Sequence, residues 1–126
     1  MDVGQSTATD LLGRAHAGTF RMEPGKGREV ADIYIRFADF VADQIDEAKR
    51  LHALTGFGGF ASAGELSKGF EGKAVEMTAA LTSMRIAALR MAEAYLIAGG
   101  MVEAADDLNR RVINATANAT GGDRRP

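Results

Sequence analysis

Histidine is the residue type in this sequence best suited to acid–base chemistry, and its two copies are not arranged for it. His16 and His52 lie in different segments. His52 follows Lys49 and Arg50 near a helix end, where a histidine interacts with the helix dipole more readily than with a substrate. Cysteine is absent, which excludes thiol catalysis, disulfides and thiolate metal sites. The sequence therefore predicts a protein without catalytic residues, and not an enzyme.

A row of carboxylates at helical spacing is the remaining place where a divalent cation could bind. Its members are Asp39, Asp43, Asp46 and Glu47. Carboxylate oxygens suit Ca²⁺ or Mg²⁺, but such a row on one helix is more typical of a solvated face, and it could equally dock a charged partner. We predict no metal site and no cofactor.

Glycine and methionine add no ligand site either. Gly25-Lys26-Gly27 follows no strand and lacks the Lys-Ser/Thr ending of a phosphate loop. Met77, Met84 and Met91 recur at a spacing of seven, which predicts a buried helix seam rather than a set of soft metal ligands or a promiscuous binding stripe.

Composition favours one small all-helical domain. The chain has 126 residues, of which 46% are hydrophobic, 25% charged and only 6% aromatic. A net charge of −2 gives no electrostatic reason to expect nucleic acid as a partner. No apolar run reaches the ~18 residues of a membrane helix, and the N-terminal residues lack a signal-peptide pattern. We expect no stable membrane insertion and no cleaved signal peptide.

Hydrophobic periodicity divides the chain into an arm, a helical domain and a tail. Residues 1–27 predict a flexible arm, with at most a marginal turn of helix from Asp10 to Ala17. Residues 28–114 predict the helical domain. Residues 115–126, rich in Asn, Thr and Gly, predict a disordered tail.

Two long helices account for the domain. Apolar residues at alternating spacings of three and four predict the first, from Arg28 to about Leu54, and heptads over more than five repeats predict the second. The predicted inner face of the first helix is Val30, Ile33, Phe37, Phe40, Ala48, Leu51 and Leu54. The columns of the second are Phe70, Met77, Met84, Met91, Ala98, Ala105 and Val112, and Ala74, Leu81, Ala88, Tyr95, Val102 and Asn109. Gly99-Gly100 predicts a kink in the second helix rather than its end.

The predicted architecture is an antiparallel hairpin closed by a turn at Phe57-Gly58-Gly59-Phe60. Each helix carries a second apolar edge that a lone hairpin would leave exposed. We therefore predict a dimer that forms a four-helix bundle. The predicted interface comprises Ile35, Ala42, Ile45, Ile86, Leu89, Leu96 and Ile97. The alternative is that the arm or the tail folds back over these edges.

The order of helix, aromatic-glycine turn and heptad helix resembles the Trp-X-Gly (ESAT-six-like) family of small helical hairpins, which are substrates of type VII secretion systems. The resemblance covers about residues 20–110. It rests on Phe57-Gly58-Gly59, with phenylalanine at the family's tryptophan position, and on Leu66, Phe70 and Lys73 at the start of the second helix.

This resemblance implies a non-enzymatic protein that forms a homodimer, or a heterodimer with a related small hairpin, and that is exported by the type VII machinery without a cleaved signal peptide. It also assigns the export-signal region to Tyr95, with the acidic Asp106 and Asp107 farther along because Gly99 occupies the fourth position after the tyrosine. The alternative function is a cytoplasmic helical adaptor or antitoxin-like protein-binding module.

Overall fold

The computed structural model describes residues 2–53 and 61–119, which contain four α-helices. They are α1 (Gln5–Ala17), α2 (Pro24–Ala53), α3 (Ala61–Ala98) and α4 (Val102–Ala119). These ranges contain no strand, so the predicted all-helical class is confirmed.

Helix α3 is central, and each of the other three helices packs against it. Helix α2 runs antiparallel to α3. Its start lies against the end of α3, because Gly27 meets the backbone of Tyr95 and Gly99. Its second half, at Ile45, lines a groove with Ala74 near the start of α3.

The Gly99-Gly100 pair ends α3 and reverses the chain, whereas the sequence predicts only a kink. The backbone N–H of Gly100 donates to Ile97 O, and that of Met101 donates to Leu96 O. Gly100 adopts φ +78°, the left-handed conformation that closes a helix C-terminus in this hydrogen-bonding pattern. The predicted single long helix is therefore two helices, and α4 returns along α3.

Helix α1 occupies the segment for which the sequence predicts a flexible arm. It buries Ala8, Leu12 and Ala15, and Leu12 and Ala15 form a cluster with Ala94 of α3. A helix of 13 residues is marginal alone but gains stability from such packing. Helix α2 also begins inside the predicted arm, at Pro24, because proline is well suited to the first helical position.

The predicted tail begins too early. Helix α4 continues to Ala119, and Ala115 is buried against the core. The side chains that α4 buries recur at helical spacing, namely Ala105, Leu108, Val112 and Ala115. Packing on α3 thus extends the helix into a sequence whose composition alone suggests disorder.

The buried face of α2 is the alanine-rich side and not the side with the largest apolar residues. Between residues 24 and 50, its buried side chains are Ala31, Ala38, Val41, Ile45 and Ala48. Ile33, Phe37 and Phe40, which the sequence places on the inner face, are 56%, 43% and 58% exposed. The predicted inner face is therefore wrong at these three positions. Small side chains face α3 because the two backbones approach closely, as they do at Gly27.

Burial along the second half of α3 follows no heptad. Every position between residues 86 and 98 is buried or half-buried, since three helices pack against α3. The methionine column is not the core seam that the sequence predicts, because Met77 is exposed and Met84 and Met91 are half-buried. A seven-residue seam describes a helix with one neighbour, whereas α3 has three.

Candidate interaction surface

Three large apolar side chains form an exposed stripe on the outer side of α2. Ile33, Phe37 and Phe40 are spaced by four and three residues, which places them on one helix face. We refer to these three residues as the α2 stripe. Scattered exposed apolar residues are ordinary in folded proteins, but adjacent ones mark protein-binding surfaces.

An apolar groove of about 290 Å³ adjoins the α2 stripe at Phe37. We name it the methionine groove, because Met84 and Met91 of α3 form one wall. Its remaining lining is Val3, Gly4, Thr7, Tyr34, Ala87 and Ala88. Methionine side chains adapt to partners of different shape. The stripe and the groove together therefore give α2 and α3 a continuous apolar surface suited to binding another protein.

The side chains that the sequence assigns to a dimer interface lie largely inside the chain. Ile45, Ile86, Leu89 and Leu96 are buried, and Ile35, Ala42 and Ile97 are half-buried. Residues of α4 pack against Ile86, Leu89 and Leu96, and residues of α1 pack against Ile97. The chain's own first and last helices thus cover the α3 edge. Helix α1 lies in the predicted arm, as in the alternative left open by the sequence, whereas the residues of α4 that pack here belong mostly to the predicted helical domain and not to the tail. Exposure of the α3 edge in a lone hairpin is therefore no longer an argument for a dimer.

Tyr95, the centre of the predicted export-signal region, is packed among other aromatic rings. Its ring stacks on Tyr34 at a centroid distance of 5.8 Å and meets Phe20 edge-on at 5.3 Å. Burial, with a smaller contribution from Tyr34, raises the pKa of the Tyr95 hydroxyl. Tyr95 therefore helps to attach α2 and the segment before it to the end of α3.

The acidic residues of the same predicted region lie on a different helix. Asp106 and Asp107 are exposed near the start of α4, and Asp107 accepts a hydrogen bond from Arg110 at 2.7 Å. The turn at Gly100 separates them from Tyr95. The predicted turn motif Phe57-Gly58-Gly59-Phe60 lies outside the described residues.

The acidic row of α2 takes part in helix packing at one position. Asp39 accepts a hydrogen bond from Arg111 of α4 at 2.8 Å, which joins two helices that both pack on α3. Asp43 and Asp46 are exposed, and Glu47 pairs with Arg50 of the next turn. No group of three or more potential metal ligands occurs within the described ranges.

Glu93 is the one charged residue that is buried among those described, and the sequence analysis missed it. It is 6% exposed, and its Oε1 accepts no hydrogen bond. Burial raises the pKa of the carboxyl group, Arg90 and His16 lower it, and Asp106 raises it. His16 belongs to α1 and Asp106 to α4, so Glu93 responds to charges on both helices that flank α3. The sequence signal for a buried acid was the presence of Glu93 within the alanine- and leucine-rich run of residues 86–98.

Within residues 2–53 and 61–119, no helix is both long enough and apolar enough to cross a membrane. Comparisons with protein-family models, curated proteins and solved structures found no match to this chain.

Proposed function

We propose that this protein acts without catalysis, by binding a related small helical hairpin, and is a substrate, or the co-secreted partner of a substrate, of a type VII secretion system. The α2 stripe is the observation that carries this proposal. Its three large apolar side chains remain 43% to 58% exposed although the chain has packed four helices. Covering such side chains with a partner is favourable in proportion to the apolar area removed from water.

The lengths and orientation of α2 and α3 support the same proposal. They contain 30 and 38 residues and run antiparallel, as the two helices of the resembled family do. A protein of this shape offers long helix faces and binds through them. The finer architecture we propose is a hairpin whose exposed α2 face meets the partner, with α1 and α4 covering the other faces of α3.

Charges at the two ends of the α2 stripe suit a second copy of the chain. Lys26 precedes Ile33 by seven residues, and Glu47 follows Phe40 by seven. When two α2 helices lie antiparallel with Ile33 facing Phe40, each Lys26 faces the Glu47 of the other copy. Both side chains are exposed and form only local pairs in the single chain. Such opposite charges set register and orientation between helices.

An export assay with matched variants tests the proposal. Phe37→Ser with Phe40→Ser removes most of the apolar area of the α2 stripe, whereas Ile113→Ser removes an equally exposed apolar residue from α4, 57% exposed. We expect the double variant to remain helical and stable but to lose the partner and to stay in the cell. The Ile113 variant should be exported normally. Normal export of the folded double variant, or export of the unchanged protein without the type VII ATPase, would contradict the proposal.

One observation favours the alternative, a helical adaptor that stays in the cytoplasm. Tyr95 is packed against Tyr34 and Phe20, and the nearest following acids lie beyond a chain reversal. An adaptor needs the α2 stripe but no displayed export signal. It would bind its partner through the α2 stripe and remain in the cell whether or not the ATPase is present.

A further inference from the structure

A second and larger groove lies on the α4 side of α2, away from the α2 stripe. It runs between the second half of α2 and the middle of α3, reaches Ala115 near the end of α4, and has a volume of about 780 Å³. Small-molecule sites in proteins typically measure ~300 to 1,000 Å³. Its apolar lining includes Ala42, Ile45, Ala79 and Ile86. We name it the α2–α4 groove.

Arg85 of α3 is the polar feature that distinguishes this groove. Its side chain is half-buried and lines the groove. Its Nε is buried and has no hydrogen-bond partner. A guanidinium group only donates hydrogen bonds, and a buried donor without an acceptor is unfavourable. Arg111 of α4, by contrast, donates a hydrogen bond to the carboxylate of Asp39. Arg85 has no such carboxylate within the described residues.

The other polar groups of the α2–α4 groove leave one net positive charge. Lys49 and Arg85 are cationic and Asp46 is anionic. Three hydroxyl groups that can donate to an anion also line the groove, namely those of Thr78, Thr82 and Ser83. One anionic group would therefore neutralise the groove and accept hydrogen bonds from the Arg85 guanidinium group, which lines it. The remaining lining is apolar and suits a hydrocarbon body.

We propose that the α2–α4 groove binds a small amphiphilic monoanion, an organic carboxylate with an apolar body. The carboxylate accepts hydrogen bonds from the Arg85 guanidinium, and the apolar body lies against Ile45, Ile86 and the neighbouring alanines. Charge-assisted pairing of guanidinium with carboxylate supplies orientation, and apolar burial supplies most of the affinity. This site goes beyond the proposed function, because its residues are distinct from the α2 stripe.

Decanoate, kept below its micelle concentration, is a suitable probe, with decanol and acetate as controls for the two halves of the ligand. Calorimetry should show one decanoate per chain, about tenfold weaker binding of decanol and no measurable binding of acetate. Arg85→Gln should weaken decanoate about tenfold or more, whereas Arg36→Gln, at an exposed position of α2, should change nothing. Ala79→Trp, from the exposed rim of the α2–α4 groove, should block binding by filling it.

Circular dichroism of each variant provides the folding control, and Ala79→Trp tests the groove without touching Arg85. Equal binding to the unchanged protein and Arg85→Gln would overturn the proposal. So would equal affinity for decanol and decanoate, which indicates apolar contact alone, or binding of an acidic amphipathic peptide without any binding of decanoate, which indicates a helix-docking site. The Phe37→Ser, Phe40→Ser double variant should bind decanoate normally, so failure here is distinct from failure of the proposed function.

Discussion

Replacing Gly27 with alanine tests the close approach of α2 and α3 that determines which residues form the core. An alanine Cβ at this position would lie 2.7 Å from the Tyr95 carbonyl oxygen and 3.3 Å from the Gly99 Cα. Both are backbone atoms, so relief requires the helices to separate. Alanine gains at most ~1 kcal/mol in helix propensity, while overpacking typically costs ~1 to 3 kcal/mol. We expect a net loss of about 1 to 2 kcal/mol in the free energy of unfolding.

Urea unfolding followed by far-ultraviolet circular dichroism measures this change, with Gly25→Ala as the matched control. Gly25 lies in the same turn of α2, and a Cβ there would meet nothing within 4 Å. The control should therefore be neutral or gain up to ~1 kcal/mol from helix propensity. The denaturant slope should stay constant if only stability changes. An equal gain in the free energy of unfolding in both variants would refute the close approach at Gly27.

Three further predictions concern the chain reversal, the core and the buried acid. Gly100→Ala should lose about 1 kcal/mol, because a left-handed φ of +78° disfavours a Cβ. Leu89→Ala should lose about 3 to 5 kcal/mol in urea unfolding, since the side chain is 0% exposed, whereas Phe40→Ala should lose less than about 1 kcal/mol. Glu93→Gln should leave the free energy of unfolding almost unchanged at acidic pH and raise it at neutral pH. Because the folded-state pKa is raised, the stability contributed by Glu93 is present at low pH and lost as pH rises through that pKa.

Each of these predictions has a distinct contrary result. A stabilising Gly100→Ala would mean that the backbone there is helical, as a simple kink requires. Similar losses for Leu89→Ala and Phe40→Ala would mean that the α2 stripe is packed within the chain. A stability difference between Glu93→Gln and the unchanged protein that is independent of pH, measured by thermal unfolding from acidic to neutral pH, would exclude a raised pKa.

The existence of the long helices was predictable from the sequence, but the face of α2 that becomes buried was not. Periodicity locates the helices because apolar residues recur every three to four positions whichever face becomes buried. Large side chains such as Phe37 and Phe40 are naturally assigned to the core on transfer energy alone. Because Gly27 allows the backbone of α3 to approach closely, alanines occupy the interface and the phenylalanines remain outside it. Interhelical distance is a tertiary property that one helix does not encode.

Tertiary packing also explains why the sequence did not predict helix α1, the return of α4 or the role of Arg85. Helix α1 is too short to be stable alone, and it forms because α3 offers a face for Leu12 and Ala15. The return of α4 depends on the left-handed conformation of Gly100, which a pair of glycines permits but does not require. Arg85 becomes a candidate ligand-binding residue only where α2, α3 and α4 together leave its Nε without an acceptor.

The mass of the protein in solution, measured by light scattering alone and with any small helical protein encoded beside it, tests most directly whether the α2 stripe binds a partner. We expect the mass of two chains in at least one of these samples. The Phe37→Ser, Phe40→Ser double variant should return the protein to the mass of one folded chain, while Ile113→Ser should not. A single-chain mass in both samples at micromolar concentration, or a dimer that persists in the stripe variant, would contradict the account.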